Sequence, residues 1–543
     1  MTLSDILHDL NDSQREAVTT TDGPVLVIAG PGTGKTLTIA RRISYLVHQG
    51  IAPRNILAVT FTNRAAREMQ ERVASLLGNE SRKMFIGTFH VLGLRIMRKY
   101  LTDDFVVCDR DGQIEILKAI VRQSRIEDTS NTVRTSYSKL ADRISGIKCG
   151  LENVGDELKD IYEKYHAALK EKSAFDFDDL IICPARLLEN GGPGETCADI
   201  FKYIIVDEYQ DINAAQYRLL RLLAKGTGNI CAVGDPDQAI YAFRGADIDN
   251  FLHFERDFDS ACRVFLSDNY RSTGTILSSS RNVIKNNLKR LDNEVKAVRE
   301  RGGNIKSISV PDEKSEGRAI VSEIEKRIGG TSHQRMTHTD NDKDYSGESY
   351  SFSDFAVIYR TNAQAKAIEE AFDASGIPYQ VIGGRSSIQA GVRAETIEYL
   401  KSLISLPDDA LSSPHDSDEA GLLTPADLFD PSADTVALMT MHMAKGLEFR
   451  TVFIAGVEDG LIPHTIREDR LDIEEERRLF YVGMTRAKDE LFLLHSRKRF
   501  LYGERHIPSP SPFLKEIPES LMQFSIVSDS VKKKKEDHQM GLF

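Results

Sequence analysis

The feature that most limits what this chain can fold into is the segment Ala29-Gly30-Pro31-Gly32-Thr33-Gly34-Lys35-Thr36, which closes the apolar run Val25 to Ala29. Phosphate oxygens need several backbone N–H groups converging on one point, and small residues in a tight loop that opens a helix provide them. Beyond the loop, Ile39, Ile43, Leu46 and Val47 recur at helical spacing. Strand, glycine loop and helix in that order make a nucleotide site, with Lys35 reaching the outer phosphates and Thr36 holding Mg²⁺. The strict pattern begins with Gly, and Ala29 stands in that place. The alternative is a glycine-rich turn without a ligand.

Further apolar runs follow at Ile56–Thr60, Tyr203–Asp207 and Ile230–Gly234, with a helical pattern over 64–77. Buried strands alternating with helices imply a parallel α/β sheet. Between about 91 and 198 helical spacing dominates, the mark of an inserted helical unit. The α/β pattern resumes at Ile305–Val310, Phe355–Tyr359, Val436–Thr440, Val452–Ala455 and Leu491–Leu494, which makes a second core. The polar stretch 329–351 reads as a loop. The stretch 407–434, acidic and carrying Pro407, Pro414, Pro425 and Pro431, reads as poorly ordered. A flexible tail is expected from 518 on, with Lys532 to Lys535 and then Gln539-Met-Gly-Leu-Phe543.

Composition narrows the classes. A hydrophobic share of 41% supports packed cores, and no apolar run approaches the ~18–20 residues of a membrane span. The net charge of -12 argues against a general coat of positive charge, although a basic groove remains compatible with it. The 6 cysteines form no C-x-x-C pair and read as reduced thiols, with no structural metal site. The opening residues lack the basic start and apolar stretch of a secretory leader, so a cytoplasmic protein is expected.

Asp207-Glu208 ends an apolar strand, and in a parallel sheet that end faces the ligand crevice. Asp207 is the candidate Mg²⁺ ligand and Glu208 the candidate base for an attacking water. An acid pair after a strand is by itself also an ordinary solvated turn.

Taken in order, the segments Leu10–Val18, Ala29–Thr36, Thr60–Met69, Gly87–His90, Val206–Asp211, Val233–Ala246, Asn269–Ser272, Leu438–Phe449 and Glu475–Lys488 resemble the motifs of the UvrD/Rep-type superfamily 1 DNA helicases. The resemblance implies two RecA-like P-loop cores, 1–90 with 199–264 and 265–384 with 435–517. A helical insertion at 91–198 interrupts the first, and a reduced, partly disordered insertion at 385–434 interrupts the second. Relatives usually carry a whole domain at this second place. The resemblance also implies ATP and Mg²⁺ bound between the cores, with Gln14 reading adenine, Tyr270 stacking on it, Glu448 at the ribose and Gly446 among the nucleotide-binding residues. Arg271 and Arg486 would supply positive charge to the γ-phosphate, and Gln238 would sense it. Lys35, Glu208, Gln238, Arg271 and Arg486 are thus the candidate catalytic groups.

Phe61, Tyr241 and Phe243 lie in motifs that line the family's DNA track, with Asn63, His90, Arg244, Arg360, Asn362 and His442 as further candidates nearby. Aromatic faces suit that task, because each stacked base contributes ~1–3 kcal/mol. The family usually has Trp where Phe243 stands, and this chain has none. The implied activity is ATP-driven 3′-to-5′ movement on single-stranded DNA with duplex unwinding, by a chain monomeric in isolation. Two other readings stay open: a translocase that strips proteins from DNA with little unwinding, and a DNA-binding scaffold tethered to the sliding clamp. The tail fits either a clamp-docking peptide, with Leu542 and Phe543 in an apolar pocket and Gln539 at its rim, or a frayed terminus.

Overall fold

Val25–Ala29 (β1) is apolar and buried at every position, as a strand covered on both faces must be. Ile56–Thr60 (β2) and Phe85–Thr88 (β3) repeat that pattern. Val106–Cys108 (β4) and Ala174–Asp176 (β5) are short strands paired with each other. Tyr203–Val206 (β6), Ile230–Gly234 (β7) and Cys262–Leu266 (β8) complete the first large sheet. Its order is β3-β2-β6-β7-β1-β8, and every pairing is parallel. All its strands therefore end at one edge, from which the loops after Ala29, Thr60, Thr88, Val206 and Gly234 emerge. Ile39, Ile43 and Leu46 pack on one face of this sheet. Leu92, Ile96, Leu219, Leu220 and Leu223 pack on the other.

The computed structural model describes residues 2–102, 104–123, 137–151, 153–191, 198–329, 350–383, 429–465 and 472–528. Two compact units divide the chain: Met1–Gly274, Asn286–Glu300 and Ile382–Phe429 form one, and Thr275–Lys285, Arg301–Val381 and Asp430–Phe543 the other. Most of the reduced insertion 385–434, most of the loop 329–351, and Gln539, Leu542 and Phe543 lie outside the described residues.

The helical insertion belongs to the first unit. Helices Arg110–Gln123, Tyr137–Lys148 and Asp156–Glu171 share an apolar core that includes Leu117, Ile144, Leu158 and Tyr165. Lys148 Nζ ties this core to helix Asp179–Glu189 by meeting Asp176 Oδ2 at 2.7 Å and Asp179 Oδ1 at 2.8 Å. Both partners are needed there, because an unpaired buried ammonium is costly.

The stretch expected to open the second core, from 265 on, packs with the first unit as far as Gly274. Cys262–Leu266 lies beside β1, and Asp268–Asn269 (β9) pairs with Lys296–Ala297 (β10) inside the first unit. The reason is local: the Asn269 side chain is buried and hydrogen-bonded to the glycine loop, which holds this stretch to the first sheet.

The second unit carries Ile305–Asp312 (β11), Phe355–Tyr359 (β12), Tyr379–Ile382 (β13), Val436–Thr440 (β14), Phe449–Ile454 (β15), Ala487–Leu501 (β16), Glu504–His506 (β17) and Met522–Ile526 (β18). The sheet runs β13-β14-β12-β15-β16-β11-β18, with β17 antiparallel on β16. Its interior holds a buried charge cluster in which Arg499 Nη2 meets Glu316 Oε2 at 2.8 Å and Glu458 Oε1 at 2.7 Å. The expected tail from 518 is corrected in part, because Met522–Ile526 joins the sheet edge in register with Ile305–Ser309. Only Met522 is buried, so backbone bonds rather than an apolar pattern hold this strand. No helix among the described residues is long and apolar enough to cross a membrane.

Candidate functional site

The glycine loop is shaped by two residues in left-handed backbone, Gly32 at φ +69 and Gly34 at φ +85. Space is as limiting as torsion. A Cβ on Gly32 would lie 2.5 Å from Arg271 Cβ, and one on Gly34 would lie 2.8 Å from Gln14 Nε2. The loop is braced from both sides. Gln14, nearly inaccessible, donates Nε2–H to Thr33 O at 3.0 Å and accepts from Asn11 N at 3.2 Å. From the other side, Asn269 Nδ2 donates to Pro31 O at 2.6 Å, and the Tyr270 N–H donates to Gly32 O at 2.9 Å. Tyr270 keeps its ring largely exposed and accepts from Asn11 Nδ2 at 3.0 Å through its hydroxyl. Gln14, Tyr270 and Arg271 thus surround the loop Ala29–Thr36, all in one unit.

Across the mouth of the loop, Lys35 Nζ stands 3.9 Å from Glu208 Oε1. Asp207 is buried at the end of β6, and its Oδ1 accepts from the Glu208 N–H at 3.0 Å. Glu208 has φ +53, a left-handed conformation that non-glycine residues seldom hold. Such strain persists where the surroundings enforce it, and functional sites are its usual home. Next along the sheet, Gln238 Nε2 donates to Asp235 Oδ2 at 2.6 Å. Burial, with Asp237 alongside, pushes the Asp235 carboxyl up to about 6, and Lys35 draws it partly back. Arg290 fixes Asp237 with two contacts, at 2.8 Å and 3.2 Å.

This cradle fits a nucleotide phosphate chain: helix-opening N–H groups, one cation and two carboxylates meet at the edge of a parallel sheet. Thr36, in the first turn of helix Lys35–His48, and Asp207 are the groups suited to Mg²⁺. Among the described residues there is no cluster of three or more His, Cys, Asp or Glu fit to hold a structural metal.

A second group of side chains leaves the same edge. Phe61, just past β2, stacks on Tyr241 with centroids 4.7 Å apart and planes inclined 23°. Phe243 lies 6.0 Å from Tyr241 and is 65% exposed, an unusual state for a phenyl ring. Arg244 lies over both rings, at 5.3 Å and 5.5 Å. Asn63 opens helix Asn63–Leu77 beside them. Half-buried His90 packs edge-on against Phe177, and desolvation together with Arg244 lowers its pKa to about 4.

In the second unit, Arg360 and Asn362 follow β12, and His442 follows β14. The two strands are paired through Tyr359 and Thr440, so these residues share one sheet edge. The Arg360 guanidinium is held by Glu476, with Nη2 to Oε1 at 2.6 Å. Glu448 pairs with Lys488 at 2.7 Å, and Gly446 takes φ +83 in the turn before it. Arg486 is 2% exposed and donates to Val482 O at 2.9 Å, Leu447 O at 3.2 Å and Thr485 Oγ1 at 3.0 Å. It thus closes the end of helix Ile473–Met484.

Three residues without a role in the motif reading emerge here: Asn269, which reaches Pro31, and Gln210 and Asp235, joined by the Asp235 N–H donating to Gln210 Oε1 at 3.0 Å. Each stands inside a quoted motif, but its partners are far along the chain or on the neighbouring strand.

A glycine loop opening a helix, an acid pair ending a strand at the same edge of the sheet and a second parallel α/β unit define a two-core, RecA-like P-loop NTPase. The UvrD/REP helicase N-terminal domain matches residues 10–259, and the UvrD-like helicase C-terminal domain matches 264–411 and 389–498. The ATP-dependent DNA helicase PcrA of Staphylococcus aureus (strain Mu50) is 32% identical over 95% of this chain and 87% of its own length. PcrA of Staphylococcus epidermidis (strain RP62A) shows the same identity and the same coverage of both chains. The chain belongs to the UvrD/Rep family of helicases.

Proposed function

We propose that this chain is a motor that moves 3′ to 5′ along single-stranded DNA and separates duplex at single-strand/duplex junctions, in repair or replication. Membership of the family makes it an ATP-hydrolysing DNA helicase. The observation that carries the motor reading is the shared sheet edge: the Lys35–Glu208 pair and the Phe61–Tyr241 stack leave the same ends of one parallel sheet.

The loop N–H groups and Lys35 hold the phosphates, and Glu208 takes the proton of the attacking water. Thr36 and Asp207 would hold Mg²⁺, which neutralises phosphate charge when bound. Gln238 senses the outer phosphate, and the short segment it shares with Tyr241 and Phe243 passes that state to the stacking faces. Arg271, against the loop, and Arg486, from the second unit, supply positive charge in the transition state. Gln14 and Tyr270 receive the adenine, with Glu448 at the ribose and Gly446 in the nucleotide-binding turn before it. Asn63, His90, Arg244, Arg360, Asn362 and His442 complete the DNA track. The protein works in the cytoplasm as a monomer, and Gln539, Leu542 and Phe543 dock it on the sliding clamp. The sequence of the tail alone supports that last point.

Steady-state ATP turnover with and without single-stranded DNA tests this reading. Turnover should rise with the strand and vanish in Lys35→Ala. Strand-independent turnover, or an active Lys35→Ala protein, refutes it.

A further inference from the structure

The catalytic base is set in a strained backbone, and a single side chain spans from it to the next strand. Gln210 is fully buried in the turn after Glu208. Its Nε2 donates to Glu208 Oε2 and, at 3.3 Å, to Asp211 Oδ2. Its Oε1 accepts the backbone N–H of Asp235 at 3.0 Å. The space around it is closed. A Cβ on Gly234 would come within 2.2 Å of Gln210 Oε1, so the residue at the end of β7 has to be glycine for the amide to lie there.

The two ends of this amide join two parts of the machine. Glu208 faces Lys35 through its other oxygen, Oε1. Asp235 holds Gln238 and begins the segment that carries Tyr241, stacked on Phe61, and Phe243, tilted against Tyr241. A rigid planar group with a donor at one end and an acceptor at the other transmits displacement between them, because both contacts sit in a closed space that cannot relax by rotation.

We infer that Gln210 is a positioning residue. It aims the Glu208 carboxylate and links that aim to the segment carrying the strand-stacking rings, so that occupancy of the DNA track raises turnover. The inference rests on the reading of Glu208 as the base. Its own content is that Gln210 acts through Glu208 and not through folding or nucleotide affinity.

A double-mutant cycle separates these possibilities, read in DNA-stimulated ATP turnover of the full chain. Gln210→Met keeps length and volume but neither donates nor accepts. Gln210→Glu keeps the shape and removes the donor to Glu208. Each should lower DNA-stimulated kcat by about 10- to 100-fold, the range for a misplaced catalytic group, with KM for ATP within about twofold. Added to Glu208→Gln, either should lower kcat by less than about twofold more, because the group through which Gln210 acts is already gone. Full additivity of the losses overturns the inference, as does a rise in KM that accounts for the whole effect. Unchanged turnover in Glu208→Gln alone sinks the reading of the base instead, a result that the single variants distinguish.

Discussion

Asn269→Ala tests how the nucleotide loop is supported. The side chain is inaccessible to solvent and makes three bonds: Nδ2 to Pro31 O at 2.6 Å, and Oδ1 from Arg271 N at 3.1 Å and Ser272 N at 2.9 Å. Alanine removes all three and offers no replacement. A buried polar group that loses its partner costs ~1–3 kcal/mol, so three such losses, partly relaxed, sum to about 3–5 kcal/mol. For a unit of this size each kcal/mol shifts Tm by ~2–4 °C, so the transition of the first unit should fall by about 10 °C. The loop loses its brace at Pro31, and KM for ATP should rise with the fall in stability. Calorimetry resolves the unfolding transitions, and ATP turnover gives KM. Asn269→Asp is the control: it keeps the acceptor for Arg271 and Ser272 and replaces the donor to Pro31 with a second acceptor. A Tm unchanged within about 1 °C in both variants, with unchanged KM, would refute the idea that Asn269 holds the loop.

Three further outcomes follow from the geometry. Tyr241→Ala should weaken single-strand affinity by ~1–3 kcal/mol, and Phe243→Trp should strengthen it, since indole offers a larger stacking face; fluorescence anisotropy that finds no change in either contradicts the stacking role. The depressed pKa of His90 means that its contribution to stability is fully present above pH 6.5 and lost as pH falls through about 4. Single-strand affinity between pH 5 and 8 should therefore show no step that disappears in His90→Asn. Arg486→Ala should cut kcat far more than it weakens ATP binding. Equal losses in both would leave Arg486 with only its place at the end of helix Ile473–Met484.

The sequence made some parts of the molecule plain and hid others for physical reasons. Strands buried on both faces, such as Val25–Ala29 and Phe355–Tyr359, announce themselves as unbroken apolar runs. The glycine loop is legible because phosphate binding leaves so little chemical choice. The edge strand Met522–Ile526 is not, since only one of its residues is buried and a row of backbone bonds holds it. The attachment of 268–274 to the first unit rests on contacts between residues far apart in the chain, among them the buried Asn269 amide reaching Pro31 and the Tyr270 N–H reaching Gly32. Gln210 stands inside a motif, but its bridge to Asp235 depends on which strands are neighbours. Arg360 shows the opposite case. The resemblance points it to the DNA track, while its guanidinium is held by Glu476 from a helix much later in the chain.

The most direct measurement of the central claim is strand displacement on short duplexes that carry a single-stranded tail of one polarity or the other. The account predicts release of the labelled strand from the 3′-tailed duplex, dependent on hydrolysable ATP and absent in Glu208→Gln. Release from the 5′-tailed duplex alone, or release without ATP hydrolysis, would contradict it.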